Sequence, residues 1–146
     1  MYDIENYYNA STIEEAVRLL KEHPDTRVIS GGSDVLIKIR EGKMAGTSLV
    51  SIRDIKELNG ITKKENGDIY IGAGTTFSHI TNDPVIQENI PVLGEAVDQV
   101  GGPQIRNIGT IGGNICNGAV SADSAPTVFS LNALLRIEDG NNGRTV

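Results

Sequence analysis

A stretch near the start of the chain has the periodicity of an amphipathic helix. Apolar side chains in residues 11–22 recur three and four positions apart, which places them on one helix face. Ser11 or Thr12 can cap the first turn, and Pro24 cannot continue the helix. We therefore predict a helix over residues 11–22.

Two short apolar runs follow this helix. Residues 27–30 have the pattern of a buried strand, and residues 47–54 alternate between apolar and polar positions like a second strand. Residues 34–39, between the two runs, form either a helix start or a further apolar turn. Strands and helices in this order are typical of a parallel β/α unit, so we predict a small lobe of this kind over residues 1–55.

The pattern then changes to that of an antiparallel hairpin. Residues 60–64 and 69–72 flank a turn at residues 65–68, whose central Asn-Gly pair favours a tight connection. We assign residues 56–146 to a second lobe that contains antiparallel hairpins. The predicted fold class is α+β, with two lobes.

Several short helices are predicted in this second lobe. Thr75 or Thr76 can cap a helix that ends near Asn82, and Pro84 and Pro91 suit the first turns of two more. Towards the C-terminus we expect a further helix, a strand and a turn, at residues 127–135, 135–138 and 139–143 respectively.

Composition excludes several classes of function. The 146 residues carry 13 Lys and Arg against 19 Asp and Glu, a formal net charge of -6, whereas a nucleic-acid groove needs a basic face. No apolar run approaches the ~18–20 residues of a membrane span. The acidic N-terminal residues lack the apolar core of a signal peptide. We expect a soluble cytoplasmic protein that binds neither nucleic acid nor membrane.

The single cysteine narrows the possible chemistry further. It excludes an internal disulfide framework, a four-thiolate zinc site and a self-contained iron–sulfur cluster. A nucleophilic Cys116 would need a base, and nothing in the sequence places His23 or His79, the two histidines, beside it. We favour a small packing residue at position 116 over a nucleophile, and we expect no metal site.

Three glycine-rich segments remain as candidates for chemistry. Residues 28–34, Val-Ile-Ser-Gly-Gly-Ser-Asp, follow a predicted strand, and successive N–H groups in such a turn can bind an anion. An ordinary β-turn is the alternative, and the absence of a following Gly-Lys-Ser/Thr excludes a P-loop. Residues 72–76 contain G-x-G but have Phe77 where a third glycine would stand. We interpret them as a tight strand-to-helix connection rather than a Rossmann fingerprint.

The third segment, residues 104–123, is the most informative. Its four glycines and three asparagines lie between single apolar residues, so few large side chains can pack there. A backbone of low bulk and many donors can hold a large planar or phosphorylated ligand closely, although a mobile surface loop is the alternative. Within the segment, Arg106 either binds an anionic ligand group or pairs with an acidic side chain.

These segments together resemble one flavoprotein family. Residues 28–34, 71–76 and 110–115, followed by Ser121-Ala122-Asp123, are similar to the FAD-binding subunits of bacterial xanthine dehydrogenases, which are molybdenum hydroxylases. The resemblance covers almost the whole chain. It implies the two-lobed FAD-binding domain also found in p-cresol methylhydroxylase and vanillyl-alcohol oxidase. Because the family's domain continues past the position of Val146, we expect this chain to be a C-terminally truncated fragment.

The resemblance also implies which residues contact FAD. Those expected around the pyrophosphate are Arg27, Val28, Ile29, Ser30, Gly31, Gly32, Ser33 and Asp34. Those expected along the cofactor are Gly109, Thr110, Ile111, Gly112, Gly113 and Asn114, with Asp123 near the ribityl chain or the flavin. No catalytic acid–base residue and no metal ligand are expected in this chain.

Finally, the resemblance implies an electron-transfer role in a complex. Electrons would enter from a molybdopterin-binding subunit and an iron–sulfur subunit with [2Fe-2S] clusters, and FAD would pass them to NAD. The protein is then an oxidoreductase subunit, which binds and tunes the flavin. The alternative is a phosphate- or nucleotide-binding module without redox activity.

Overall fold

The computed structural model describes residues 2–140 and 143–146. The chain divides into two compact units, which we call the first unit (Met1–Glu57 with Leu134–Val146) and the second unit (Leu58–Ala133). This division differs from the predicted lobes, since residues 134–146 join the first unit rather than the second. The second unit starts at Leu58, two residues after the predicted start at residue 56.

The first unit is built on a small parallel sheet. Its elements are β1 (Ile4–Asn9), α1 (Ile13–Glu22), β2 (Arg27–Ile29), α2 (Val35–Arg40) and β3 (Thr47–Ser51). The strand order is β1-β3-β2, and both neighbours run parallel to β3. The predicted parallel β/α organisation is confirmed, although β1 was not predicted.

Strand β3 lies at the centre of this sheet and carries its core. Leu49, opposite Tyr7 on one side and Arg27 on the other, is fully buried. It packs with Ile29 and Ile39 in one apolar cluster. Burial of this cluster fixes the position at which β2 ends, and therefore the position of the glycine turn that follows it.

Helix α1 begins and ends close to the predicted positions. The Thr12 hydroxyl accepts a hydrogen bond from the Glu15 N–H at 3.1 Å, as expected of an N-cap. Ala16 and Leu19 are buried on the apolar face of the helix. The helix therefore forms for the reasons that its sequence pattern indicates.

The second unit begins with the predicted hairpin. Strands β4 (Ile61–Lys63) and β5 (Ile69–Ile71) pair antiparallel, with Ile61 opposite Ile71. Gly67 adopts a φ of +91° in the turn, a conformation that few residues other than glycine and asparagine adopt readily. The Asn-Gly signal thus identified both the hairpin and its turn.

Six short helices form the rest of the second unit. They are α3 (Phe77–Asn82), α4 (Pro84–Asn89), α5 (Pro91–Asp98), α6 (Pro103–Arg106), α7 (Ile111–Asn117) and α8 (Ser124–Ser130). Pro84 and Pro91 occupy first-turn positions, as predicted. The buried core of the unit consists of Phe77, Ile80, Ile86, Leu93, Val97, Val100 and Ile111. None of the helices in the described part of the chain is long and apolar enough to cross a membrane.

The C-terminal part of the second unit differs most from expectation. The segment considered as a possible loop contains the two helices α6 and α7. Helix α8 begins at Ser124, three residues before the predicted start, and ends at Ser130 rather than at 135. Thr110 caps α7, and the two short helices occupy part of the segment for which a mobile loop was the alternative.

Residues 134–146 return to the first unit as a short hairpin. Strands β6 (Arg136–Ile137) and β7 (Arg144–Thr145) pair antiparallel, and Leu135 and Val146 exchange two backbone hydrogen bonds beside them. The predicted turn at 139–143 includes residues 141 and 142, which lie outside the described residues.

Candidate functional site

The first candidate segment is the turn that joins β2 to α2. Gly32 adopts a φ of +79° there, in the left-handed region that favours glycine. Within the described part of the chain, no acceptor receives a hydrogen bond from the backbone N–H groups of residues 30–34. Consecutive N–H groups without acceptors in a turn are the donor set that an oxyanion needs.

The side-chain position of residue 32 is turned towards the protein. A Cβ at Gly32 would lie 3.1 Å from Ile29 Cδ1 and 3.2 Å from Leu36 Cδ1. The positive φ disfavours residues other than glycine at this position, and a Cβ would also press on these two side chains. The turn is therefore held in shape by the core of the first unit.

The polar side chains around this turn have no described partners. Arg27 lies exposed on an edge strand, and no ion pair with another described residue engages its guanidinium. Asp34 precedes α2 and makes no side-chain cap. Val28 is 43% exposed although it is apolar, whereas Ile29 is buried. Ser30 and Ser33 are half-buried.

The third candidate segment, residues 104–123, is closely packed against the strand-to-helix connection at residues 72–77. The Gly109 carbonyl accepts the Phe77 N–H at 3.1 Å, and a Cβ at Gly109 would lie 2.9 Å from Phe77 Cε2. The Gly112 N–H donates to the Ala73 carbonyl at 2.9 Å, and a Cβ at Gly112 would lie 2.6 Å from Ala73 Cβ. Both glycines are required by close contact between two parts of the same unit.

Two further residues of this segment have structural roles. The Thr110 hydroxyl caps α7 by accepting the Gly113 N–H at 3.2 Å. Ile111 is only 6% exposed and belongs to the core of the second unit. Gly109, Thr110, Ile111 and Gly112 are thus explained by folding, whereas Gly113 is exposed and Asn114 is half-buried.

Asn114 and Asp123 lie on and beside two neighbouring helices. The half-buried Asn114 accepts a hydrogen bond from the Ser124 hydroxyl to its Oδ1, at 2.6 Å. Asp123 is exposed, makes no side-chain cap to α8, and lies between the buried residues Ala122 and Ser124. Its carboxylate can accept hydrogen bonds from hydroxyl groups. Ser124 was missed by sequence reasoning, because nothing in a lone serine signals its burial.

The other sequence candidates have structural explanations. The Gly72 and Gly74 N–H groups donate to the Gly60 and Leu58 carbonyls, which confirms the tight connection predicted for residues 72–76. Arg106 pairs with Asp98 at 3.2 Å, so the structure shows the ion pair, one of the two alternatives considered for it. Its Nη1 also donates to the Gly101 carbonyl at 2.8 Å.

Cys116 and the acidic and histidine side chains are the remaining candidates for chemistry. Cys116 is exposed on α7, so the buried packing role that we favoured is wrong. Among the described residues, no group of three His, Cys, Asp or Glu side chains is arranged to hold a metal ion. The Lys43 ammonium, which donates to Glu41 at 2.7 Å, holds the pKa of that carboxyl below its usual value. Neither residue belongs to a predicted site.

The predicted site residues therefore fall into two groups. Residues 27–34 all belong to the first unit, whereas residues 109–114 and Asp123 all belong to the second. Within each unit the structure brings the respective residues together.

Comparison with solved structures identifies the general class of the fold. The whole chain superimposes on 51% of a chain of carbon monoxide dehydrogenase from Hydrogenophaga pseudoflava, with a TM-score of 0.95 and 31% identity. It also matches quinoline 2-oxidoreductase from Pseudomonas putida 86, with a TM-score of 0.92 and 26% identity over 97% of this chain and 49% of that one. The predicted α+β class is confirmed, and the fold is one found in oxidoreductases.

Sequence comparison then identifies the family. The model of the FAD-binding domain in molybdopterin dehydrogenase matches residues 2–146, and the chain belongs to this family. The xanthine dehydrogenase FAD-binding subunit of Escherichia coli O157:H7 is 40% identical over 100% of this chain and 50% of its own length. The nicotinate dehydrogenase FAD-subunit of Eubacterium barkeri is 39% identical over 94% of this chain and 47% of its own. The chain thus spans about half the length of these relatives.

Proposed function

We propose that this chain binds FAD as part of an electron-transfer subunit of a xanthine dehydrogenase-like molybdenum hydroxylase. Membership of the FAD-binding family supports the cofactor. The 40% identity to a xanthine dehydrogenase subunit supports the class of complex. When bound, FAD supplies the redox chemistry, and the protein supplies binding, orientation and electrostatics.

The observation that carries the proposal is the unsatisfied turn at residues 30–34. These N–H groups follow one another and have no described acceptor. Two residues of the turn, Ser30 and Ser33, are half-buried and also carry hydroxyl groups. They fit a pyrophosphate, whose oxygens accept several hydrogen bonds at once. The exposed guanidinium of Arg27 adds a positive charge close to the turn along the chain.

In the second unit, the proposed contacts are fewer than the resemblance implies. We assign Asn114 as a hydrogen-bond donor and Asp123 as an acceptor for hydroxyl groups, since both are solvent-accessible. Gly109, Thr110, Ile111 and Gly112 shape the unit from within, and the Gly113 N–H donates to the capping Thr110 hydroxyl. None of these residues is a general acid or base in the proposal.

The role in a complex rests on the relatives. We propose that a molybdopterin-binding subunit and an iron–sulfur subunit with [2Fe-2S] clusters deliver the electrons, and that NAD accepts them. The single, exposed cysteine suits a reducing compartment, and we propose the cytoplasm. A nucleotide-binding module without redox activity is not favoured, because the matching family is defined by FAD.

Titration of the purified chain with FAD and, separately, with ADP tests the proposal. We expect FAD to bind with a change in flavin fluorescence and absorbance, and to bind more tightly than ADP because the flavin half adds contacts. Equal affinity for both nucleotides, with an unperturbed flavin spectrum, would favour the alternative module. No binding of either would contradict the assignment of the turn at residues 30–34.

A further inference from the structure

We infer that Ser124 is a positioning residue, which orients the Asn114 side-chain amide so that its Nδ2 group donates a hydrogen bond to an oxygen of bound FAD. This inference rests on the proposed function and deepens it. Ser124 itself does not touch the cofactor in this proposal. It acts through Asn114 alone.

The burial of Ser124 determines the direction of the hydrogen bond. Its side chain is completely buried, and its Oγ lies 2.6 Å from Asn114 Oδ1. Within the described part of the chain, the Ser124 hydroxyl donates to no other acceptor. If the amide were reversed, Nδ2 would donate to the Ser124 Oγ, and the buried hydroxyl proton would have no acceptor among the described residues, which is disfavoured.

This direction leaves Asn114 as a donor towards solvent. The amide oxygen is engaged by Ser124, and the Asn114 backbone N–H donates to the Thr110 carbonyl at 3.0 Å. The Nδ2 group meets no acceptor in the described residues, although Asn114 is half-buried. An oriented amide whose free group is a donor recognises oxygen acceptors, which the ribityl chain, the pyrophosphate and the flavin carbonyls of FAD all provide.

The same contact also restrains the backbone of the neighbouring Asp123. Ser124 is the first residue of α8 and directly follows Asp123, whose other neighbour, Ala122, is 5% exposed. With buried residues on both sides, the backbone of Asp123 is held between α7 and α8. One buried hydroxyl thus connects the proposed donor on α7 with the proposed acceptor that precedes α8.

The chain offers a closely matched control. In the same unit, the Ser78 hydroxyl donates to Asn107 Oδ1, also at 2.6 Å, but this pair is exposed and lies outside the proposed site. Ser124→Ala and Ser78→Ala therefore delete the same type of hydrogen bond at the same length. Only the first deletion should release Asn114.

The first measurement needs no cofactor. In the purified chain, the ¹⁵N order parameter of the Asn114 side-chain amide reports its freedom. We expect Ser124→Ala to lower this order parameter below about 0.6, a value typical of flexible groups. Ser78→Ala should leave the order parameter of Asn114 unchanged. An unchanged order parameter in folded Ser124→Ala would overturn the inference.

The second measurement is FAD affinity in a double-mutant cycle. We expect Ser124→Ala and Asn114→Ala each to weaken FAD binding about three- to tenfold, and the double variant to lose no more than Asn114→Ala alone. Ser78→Ala should bind FAD like the wild type. Additive losses would show that Ser124 acts independently of Asn114, and would overturn the positioning role.

The two measurements separate the inference from the proposed function. Suppose that the wild-type chain bound no FAD while Ser124→Ala still lowered the order parameter of the Asn114 amide. The hydrogen bond between Ser124 and Asn114 would then be confirmed, and the assignment of FAD to this chain would be contradicted. If FAD bound normally and the amide did not respond, the proposed function would stand and the positioning role would fall.

Discussion

Two of the three glycine-rich segments of this chain, the turn at residues 30–34 and residues 109–113, use glycine differently. In the turn at residues 30–34, the backbone N–H groups have no described acceptor and Gly32 adopts a positive φ. In residues 109–113, the glycines allow one part of the second unit to approach another, with Gly112 hydrogen-bonded to Ala73. A glycine-rich segment can therefore present donors to a ligand or permit close packing. Only the hydrogen-bond partners distinguish the two.

The largest expected effect tests whether close packing requires glycine in residues 109–113. Gly112→Ala would bring a Cβ to 2.6 Å from Ala73 Cβ and 2.7 Å from the Ala73 carbonyl oxygen, so the backbone must shift. We expect a loss of about 2–3 kcal/mol in the free energy of unfolding, measured with urea. Gly94→Ala is the matched control, because its Cβ would meet Ile86 at an ordinary 3.5 Å inside α5. It should stabilise the protein by roughly 0.5–1 kcal/mol. Equal effects of the two variants would contradict the packing role of Gly112.

A smaller loss of stability is expected from substitutions in the turn at residues 30–34. There, a control glycine elsewhere should distinguish an effect on FAD affinity from an effect on stability. Gly32→Ala must hold alanine at a φ of +79° against Ile29 and Leu36, which should lower stability by about 1–2 kcal/mol and weaken FAD binding at least about tenfold. Gly42→Ala is the control, since Gly42 has a φ of +77° with no atom near its Cβ position. It should lower stability similarly but leave FAD affinity intact. If FAD affinity fell equally in both, the turn would have no specific part in binding.

The smallest effect concerns the connection that precedes α8. Asp123→Ala removes an exposed acceptor that makes no cap, so the fold should be unaffected. FAD affinity should fall about two- to tenfold, the range for one lost hydrogen bond. Glu95→Ala, which removes an exposed carboxylate from α5 in the same unit, should not change FAD binding. A similar fall in both variants would show a general charge effect and would weaken the assignment of Asp123.

Local signals in the sequence predicted many of these elements. The Thr12 cap, the Asn66-Gly67 turn and the prolines at 84 and 91 each act within a few residues of their own position, and each is found where expected. Strand β1 was missed because Ile4–Asn9 has only two partly buried positions and its pairing partner, β3, is distant in sequence.

Elements that depend on distant contacts could not be predicted in this way. Two glycines in α7 lower its intrinsic helix propensity, yet the Thr110 cap and the contact between Gly112 and Ala73 stabilise the helix. The role of Ser124 depends on its burial against Asn114, which a lone serine does not signal. The resemblance supplied the candidate site residues, but it did not distinguish those that can face a ligand from those that pack internally.

The division into units has a consequence for the order of folding. The second unit is continuous in sequence, whereas the first unit is interrupted after Glu57 and resumes at Leu134. A Cβ at Gly140 would lie 2.9 Å from Val17 Cγ1, so the returning hairpin lies directly on α1. During synthesis, residues 58–133 can collapse around their own core while the earlier sheet still lacks its last segment. The contacts between residues 134–140 and α1 have a high sequence separation, so we expect them to form after the second unit has collapsed.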